Sequence, residues 1–191
     1  FRLTGLILIA VPVAFNLLFL ALGRSFEYPD ILRQPVDTVL RRFRDGGSRL
    51  ISLWYAFSLT AILFVPLALL VAAAFPGQPA LAQASAVVGA LAGVVQALGL
   101  LRWPFLVPVL ARAYADPAAS PAKREAVATV FEAFHTYAGV AIGEHLGYFF
   151  TAGWSILVSA ILMQSAMFNP LIGVLGIVSA VGILAGTLEP A

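Results

Sequence analysis

Five apolar runs, at about 4–22, 50–75, 84–113, 137–163 and 171–187, fill most of this 191-residue chain. Each is close to or above the ~20 residues that an α-helix needs to cross the ~30 Å hydrocarbon layer of a bilayer. Hydrophobic residues make up 61% of the chain and charged ones 10%. Ordinary soluble domains run about 45–50% apolar and about 25% charged, so a wet surface cannot be built from this supply. Continuous Leu, Ala and Val runs replace the alternation of an outer-membrane barrel strand. The expected class is therefore all-α: a polytopic transmembrane helical bundle, five spans in one domain. The first run lacks a strong basic start, with Arg2 alone before it, and a convincing small-residue cleavage site, so it reads as a retained span and not as a signal peptide.

The polar segments between the runs carry their own signals. Pro35 can open a helix, and Val36, Val39, Leu40 and Phe43 then recur at i, i+3, i+4 and i+7. Arg41, Arg42 and Arg44 fall largely off that stripe, and Gly46 and Gly47 supply a stop. This predicts an amphipathic helix over 34–45 at the bilayer surface, its arginines near lipid phosphates. Pro76, Gly77 and Pro79 force a short turn. Ser120 and Pro121 form an N-cap and first helical position, after which a helical pattern runs to Met163. Some forty residues would extend ~60 Å, twice the hydrocarbon thickness, so 121–136 is read as a second interfacial helix turning near Gly139 into the fourth span. Asn169 and Pro170 mark the last turn.

Six arginines lie between 23 and 49, and Arg112, Lys123 and Arg124 flank the third loop. The positive-inside rule then puts segments 23–49 and 114–136 on the cytoplasmic side of the membrane. Because the basic residues sit in these short loops, the net charge of +2 points to a membrane surface and not to nucleic acid. The expected partners are lipids and other membrane-protein subunits or a second copy of the chain. The absence of cysteine excludes disulfides, thiol catalysis and cysteine-ligated zinc or iron–sulfur centres.

Two charges interrupt the apolar runs: Arg102 in LGLLRWPFLVPVL and Glu144 in YAGVAIGEHLGYFF. An ionised side chain at the centre of a membrane helix costs at least ~2.5–3.5 kcal/mol, so such groups are paired or placed for a purpose. Counting from Arg112 puts Arg102 ~15 Å into its span, and counting from Thr136 puts Glu144 ~12 Å into the next. Matched depths on antiparallel neighbours predict an ion pair. Pro104 and Pro108 free the carbonyls of Leu100 and Pro104, which the arginine can also bind. Such a pair acts either as a clamp on helix register or as a binding or proton-carrying site facing a cavity.

The 100° steps of an α-helix place Tyr137, Thr151 and Ser155 within ~20° of Glu144 and Tyr148 ~40° from it. With Gln96 two turns before Arg102, the expected buried polar cluster is Arg102, Glu144, Gln96, Tyr148 and Tyr137. Small residues recur every fourth position, as Gly139, Gly143 and Gly147 in the fourth span and Gly89 and Gly93 in the third. That spacing predicts close packing of these two spans. His135 and His145 would stand ~15 Å apart in rise and ~80° apart in direction, so they cannot share one haem iron. Either alone is a weak candidate for haem or a pigment; a hydrogen-bonded or interfacial histidine, with no cofactor and no metal, is the expectation. Position 141 is Ala141, which breaks the H-x-x-E-H pattern, and neither a G-x-S-x-G elbow nor a P-loop occurs. No catalytic residue emerges.

The runs EYPDILRQPVDTVLRRF, LISLWYAF, QALGLLRWPFLVPVLA, FHTYAGVAIGEHLGYFFTAGW and GTLEPA together resemble the bacterial integral-membrane family labelled domain of unknown function DUF4386. The resemblance covers most of the chain, and Arg102, Trp103, Glu144 and His145 lie in its most specific segments. It implies a multi-pass protein of the bacterial inner membrane with a further, sixth span beyond the LEP segment, and it implies no activity. The loops are too short to house a soluble catalytic domain, so a non-catalytic accessory or scaffold subunit is expected. The alternatives are a small transporter or ligand-binding protein using Arg102 and Glu144, and a haem- or pigment-binding subunit.

Overall fold

The computed structural model describes residues 2–188, and those residues form helices with no strand. They are α1 (Arg2–Phe26), α2 (Val36–Ala73), α3 (Pro79–Phe105), α4 (Val107–Ala115), α5 (Pro121–Phe134), α6 (Gly147–Gln164) and α7 (Pro170–Ala185). A π-helix (His135–Leu146) joins α5 to α6. Five stretches are long and apolar enough to cross a membrane: Thr4–Phe26, Val36–Ala73, Pro79–Ala115, Pro121–Gln164 and Pro170–Leu188. This is the architecture of an integral membrane protein. Residues 189–191, from which the resemblance implied a further span, lie outside the described part.

Turn chemistry sets the boundaries. Ser120 caps α5 by accepting from the Lys123 amide at 3.2 Å, with Pro121 in the first turn. Asn169 caps α7 by accepting from the Leu171 amide at 3.0 Å, ahead of Pro170. Of segment 34–45, residues 36–45 form the start of α2, which is interrupted at Gly47, where φ is 56° and ψ −151°. Only glycine adopts that conformation without strain. Gly47→Ala should therefore lower stability by about 1–3 kcal/mol. Gly77→Ala should not, because a Cβ there meets nothing within 4 Å and φ is not positive. Thermal unfolding of the two variants in detergent checks the contrast.

The apolar stripe of that first part of α2 packs inward. Val39, Leu40 and Phe43 are each 1% exposed and join Phe26, Trp54, Trp103 and Phe131 in an aromatic core. The arginines on the opposite face are exposed, with Arg41 paired to Asp37 and Arg44 to Asp45, while Arg42 turns away to Glu27. Exposed pairs of this kind contribute ~0–1 kcal/mol each.

α3 is the central rod: α2 packs along one side of it and α6 with the π-helix along another, while α1 leans on α2 and α7 on α6. Small residues make these approaches possible. A Cβ on Gly89 would sit 2.5 Å from Ala68 and from Trp154, and one on Gly93 would sit 2.8 Å from the Ala61 carbonyl. Gly93 thus serves the α2 contact and not the fourth span. A turn near Gly139 was expected; instead Pro121–Gln164 is one helical stretch of 44 residues. No proline interrupts residues 135–146, and their i→i+5 bonding carries the helix on into α6.

Candidate functional site

Arg102 lies in the last turn of α3, half-buried. Its guanidinium donates to the Gly99 carbonyl, in place of the expected carbonyls of Leu100 and Pro104, and to Nδ1 of His135 at 3.3 Å. Arginine has no acceptor, so Nδ1 carries the lone pair and the ring hydrogen sits on Nε2. The ring is held flat on Phe131, with centroids 5.9 Å apart and planes 2° apart.

The direct ion pair expected between Arg102 and Glu144 is not among the four ion pairs of the described residues, all of which are exposed. The π-helix is the reason. Its wider turns change both rise and direction between His135 and Leu146, so counting in α-helical steps misplaces every side chain in between. His135 arrives at the guanidinium, and the backbone of Gly139 passes directly against it. Glu144 stays close enough to act electrostatically on Arg102 and on Tyr28.

Arg102, Gly139, Glu144 and Tyr28 meet in a cavity of about 510 Å³. Its walls are mainly apolar: Phe15 and Phe19 from α1, Phe57 from α2, Leu100 from α3 and Ile183 from α7. Arg102, Gln96, Glu144, Thr151, Tyr28 and Tyr148 supply the polar part. Gln96 donates to the Thr151 hydroxyl at 2.8 Å. The floor is the crossing of α3 with the π-helix, where a Cβ on Gly99 would lie 2.6 Å from the Gly143 Cα. Nearby, a Cβ on Gly147 would lie 2.9 Å from Gln96. Residues of both α1 and α7 line the cavity, although each of these helices packs chiefly on its own neighbour, α2 or α6.

A second cavity of about 430 Å³ adjoins the first, and Phe19, Tyr28, Glu144, Tyr148 and Gly186 line both. Its outer wall carries Arg33, His135, His145 and Thr187. Both histidines thus face one space, but His135 already engages Arg102 through Nδ1. No group of three or more metal-ligating side chains occurs among the described residues. Tyr137 is 69% exposed and lines neither cavity, a second consequence of the π winding.

Tyr28 was not legible as a site residue, because it sits in the loop after α1 and belongs to no periodic face. Burial and then the charge of Glu144 push its hydroxyl up to about 12, with Arg102 opposing. A tyrosine held protonated by the fold contributes stability in full below its unfolded value near ~10 and loses it as pH rises through the folded one. Tyr28→Phe should therefore flatten the fall in melting temperature above about pH 10 and remove the last step of the tyrosinate absorbance titration.

The family model described as Domain of unknown function (DUF4386) matches residues 3–190, so the chain belongs to that family. No curated protein and no solved structure matches the chain.

Proposed function

For a member of this family we propose the role of a ligand-binding integral membrane protein of the bacterial inner membrane, with segments 23–49 and 114–136 on the cytoplasmic side. The ligand is a small, mostly apolar molecule with a polar head, entering from the bilayer between α1 and α7. The observation that carries this reading is the convergence of Arg102, Gln96, Glu144 and Thr151 inside an otherwise apolar cavity of about 510 Å³. Such a mixture, apolar walls with a few placed polar groups, is what small-molecule sites are made of. The head would meet the donors and acceptors at Arg102 and Glu144, and the tail would lie against Phe15, Phe19 and Phe57. The tie of Arg102 to His135 and Gly99 holds the guanidinium in place and lowers the ordering cost of binding.

The test is native mass spectrometry of the chain extracted in mild detergent. Wild type should carry a bound small molecule. Arg102→Gln should weaken its retention about 10- to 100-fold, the loss of one charge-assisted hydrogen bond. Equal retention by both proteins would remove the proposal.

A second reading, an accessory subunit packed against other membrane proteins, is favoured by α1, whose Leu6, Ile9, Leu17 and Leu20 are all more than half exposed (65%, 68%, 62% and 55%). It requires a partner that co-purifies at fixed stoichiometry and is lost when Ile9→Ser and Leu17→Ser are combined.

A further inference from the structure

Away from that cavity, α2, α4 and α5 enclose a charged recess of about 310 Å³. Arg41 and Arg44 reach into it from α2, Arg124 from the first turns of α5, and Tyr114 from α4; Asp37 is the one acidic residue in its lining. The arginines are only partly used: Arg41 meets Asp37, Arg44 meets Asp45 at 3.3 Å, and Arg124 reaches the Asp116 carbonyl at 3.5 Å. Each guanidinium has five donors, so most remain available to a further acceptor. Arg42, adjacent in sequence, points instead to Glu27 and takes no part.

Position narrows the class of ligand. The alanine face of α4 that backs the recess, Ala111 and Ala115, is the last turn of the candidate span Pro79–Ala115. The three cations therefore stand where that helix leaves the hydrocarbon, at headgroup depth, with Tyr114 at the same boundary as interfacial tyrosines commonly are. Three arginines against the carboxylates of Asp37 and Asp45 leave an excess of positive charge that calls for an anion, and a phosphate presents the acceptor geometry that arginine forks match.

We propose that this recess binds the phosphate of an anionic phospholipid. The site is independent of the ligand cavity and stands or falls separately from it. Basic pockets at helix ends attract anionic headgroups with about 1 kcal/mol per arginine, a factor of about five in affinity.

The test uses the full chain, delipidated in mild detergent and titrated with phosphatidylglycerol or with phosphatidylcholine of the same acyl chains, bound lipid being counted by native mass spectrometry. Wild type should prefer phosphatidylglycerol. Arg44→Gln and Arg124→Gln, on different helices, should each weaken it about five-fold, and Asp37→Asn should strengthen it several-fold. Arg112→Gln, an exposed arginine outside the recess, should change nothing. Unchanged helical circular dichroism keeps these surface variants interpretable. Equal binding of the two lipids, or an equal loss in Arg112→Gln, would overturn the site in favour of diffuse surface charge. Displacement of the lipid by millimolar inorganic phosphate would overturn the lipid in favour of a soluble anion.

Discussion

Trp103→Ala is expected to be the most destabilising single truncation in the chain, at about 3–5 kcal/mol. The side chain is 1% exposed and stacks on Trp54 with centroids 4.5 Å apart and planes 10° apart. It also meets Phe26 edge-on at 5.4 Å, Phe43 at 5.8 Å and Phe131 at 6.3 Å. One indole thus ties α1, α2 and α5 to α3, and its removal leaves a void that four elements would have to collapse together to fill. Between helices in lipid the gain comes chiefly from packing contacts and not from escape from water, which is why shape matters so much here. The indole Nε1 atoms of Trp54 and Trp103 are buried without a hydrogen-bond partner among the described residues. Trp103→Phe, which removes one such group and keeps most of the contact area, should therefore cost much less. Chemical unfolding in detergent distinguishes the two variants.

The second large effect is expected at the helix crossing. A Cβ on Gly143 would stand 2.9 Å from the Gly99 Cα, so even alanine meets backbone, which cannot step aside as a side chain can. Gly143→Leu should cost about 3 kcal/mol or more by forcing α3 and the π-helix apart. The same separation should break the 3.3 Å contact of Arg102 with His135 and deform the cavity floor, so ligand retention should fall along with stability. Gly5→Leu, where a Cβ meets nothing within 4 Å, is the matched control and should leave melting temperature near wild type. A Gly143→Leu protein as stable as that control would mean that the two backbones are not in close contact at this crossing.

Much of the architecture was legible because it follows from local rules. Apolar run length marks the five spans, Ser120–Pro121 and Asn169–Pro170 mark helix starts, and Gly47 marks the break in α2. The site was only half legible. Arg102, Glu144 and Gln96 stood out because polar groups are costly in lipid, and all three line the cavity. Their partners did not stand out. Pairing Arg102 with Glu144 assumed α-helical steps across a segment that winds as a π-helix, and nothing in HTYAGVAIGEHL announces that change of period. Gly99 escaped notice because it lies off the four-residue repeat of Gly89 and Gly93. Tyr28 and the α1 and α7 walls depend on how distant segments fold back, which no local pattern encodes.

Gly182 offers the sharpest test of the cavity as a binding site. It lines the space from α7 and is exposed, and a Cβ placed on it meets nothing within 4 Å, so a substitution there begins without a clash and its bulk competes with a ligand for the space. The decisive measurement is the mass of small molecule retained by Gly182→Trp beside wild type, at equal melting temperature. The account predicts a stable protein that has lost its ligand; a stable Gly182→Trp protein that still carries the same molecule in the same amount would contradict it.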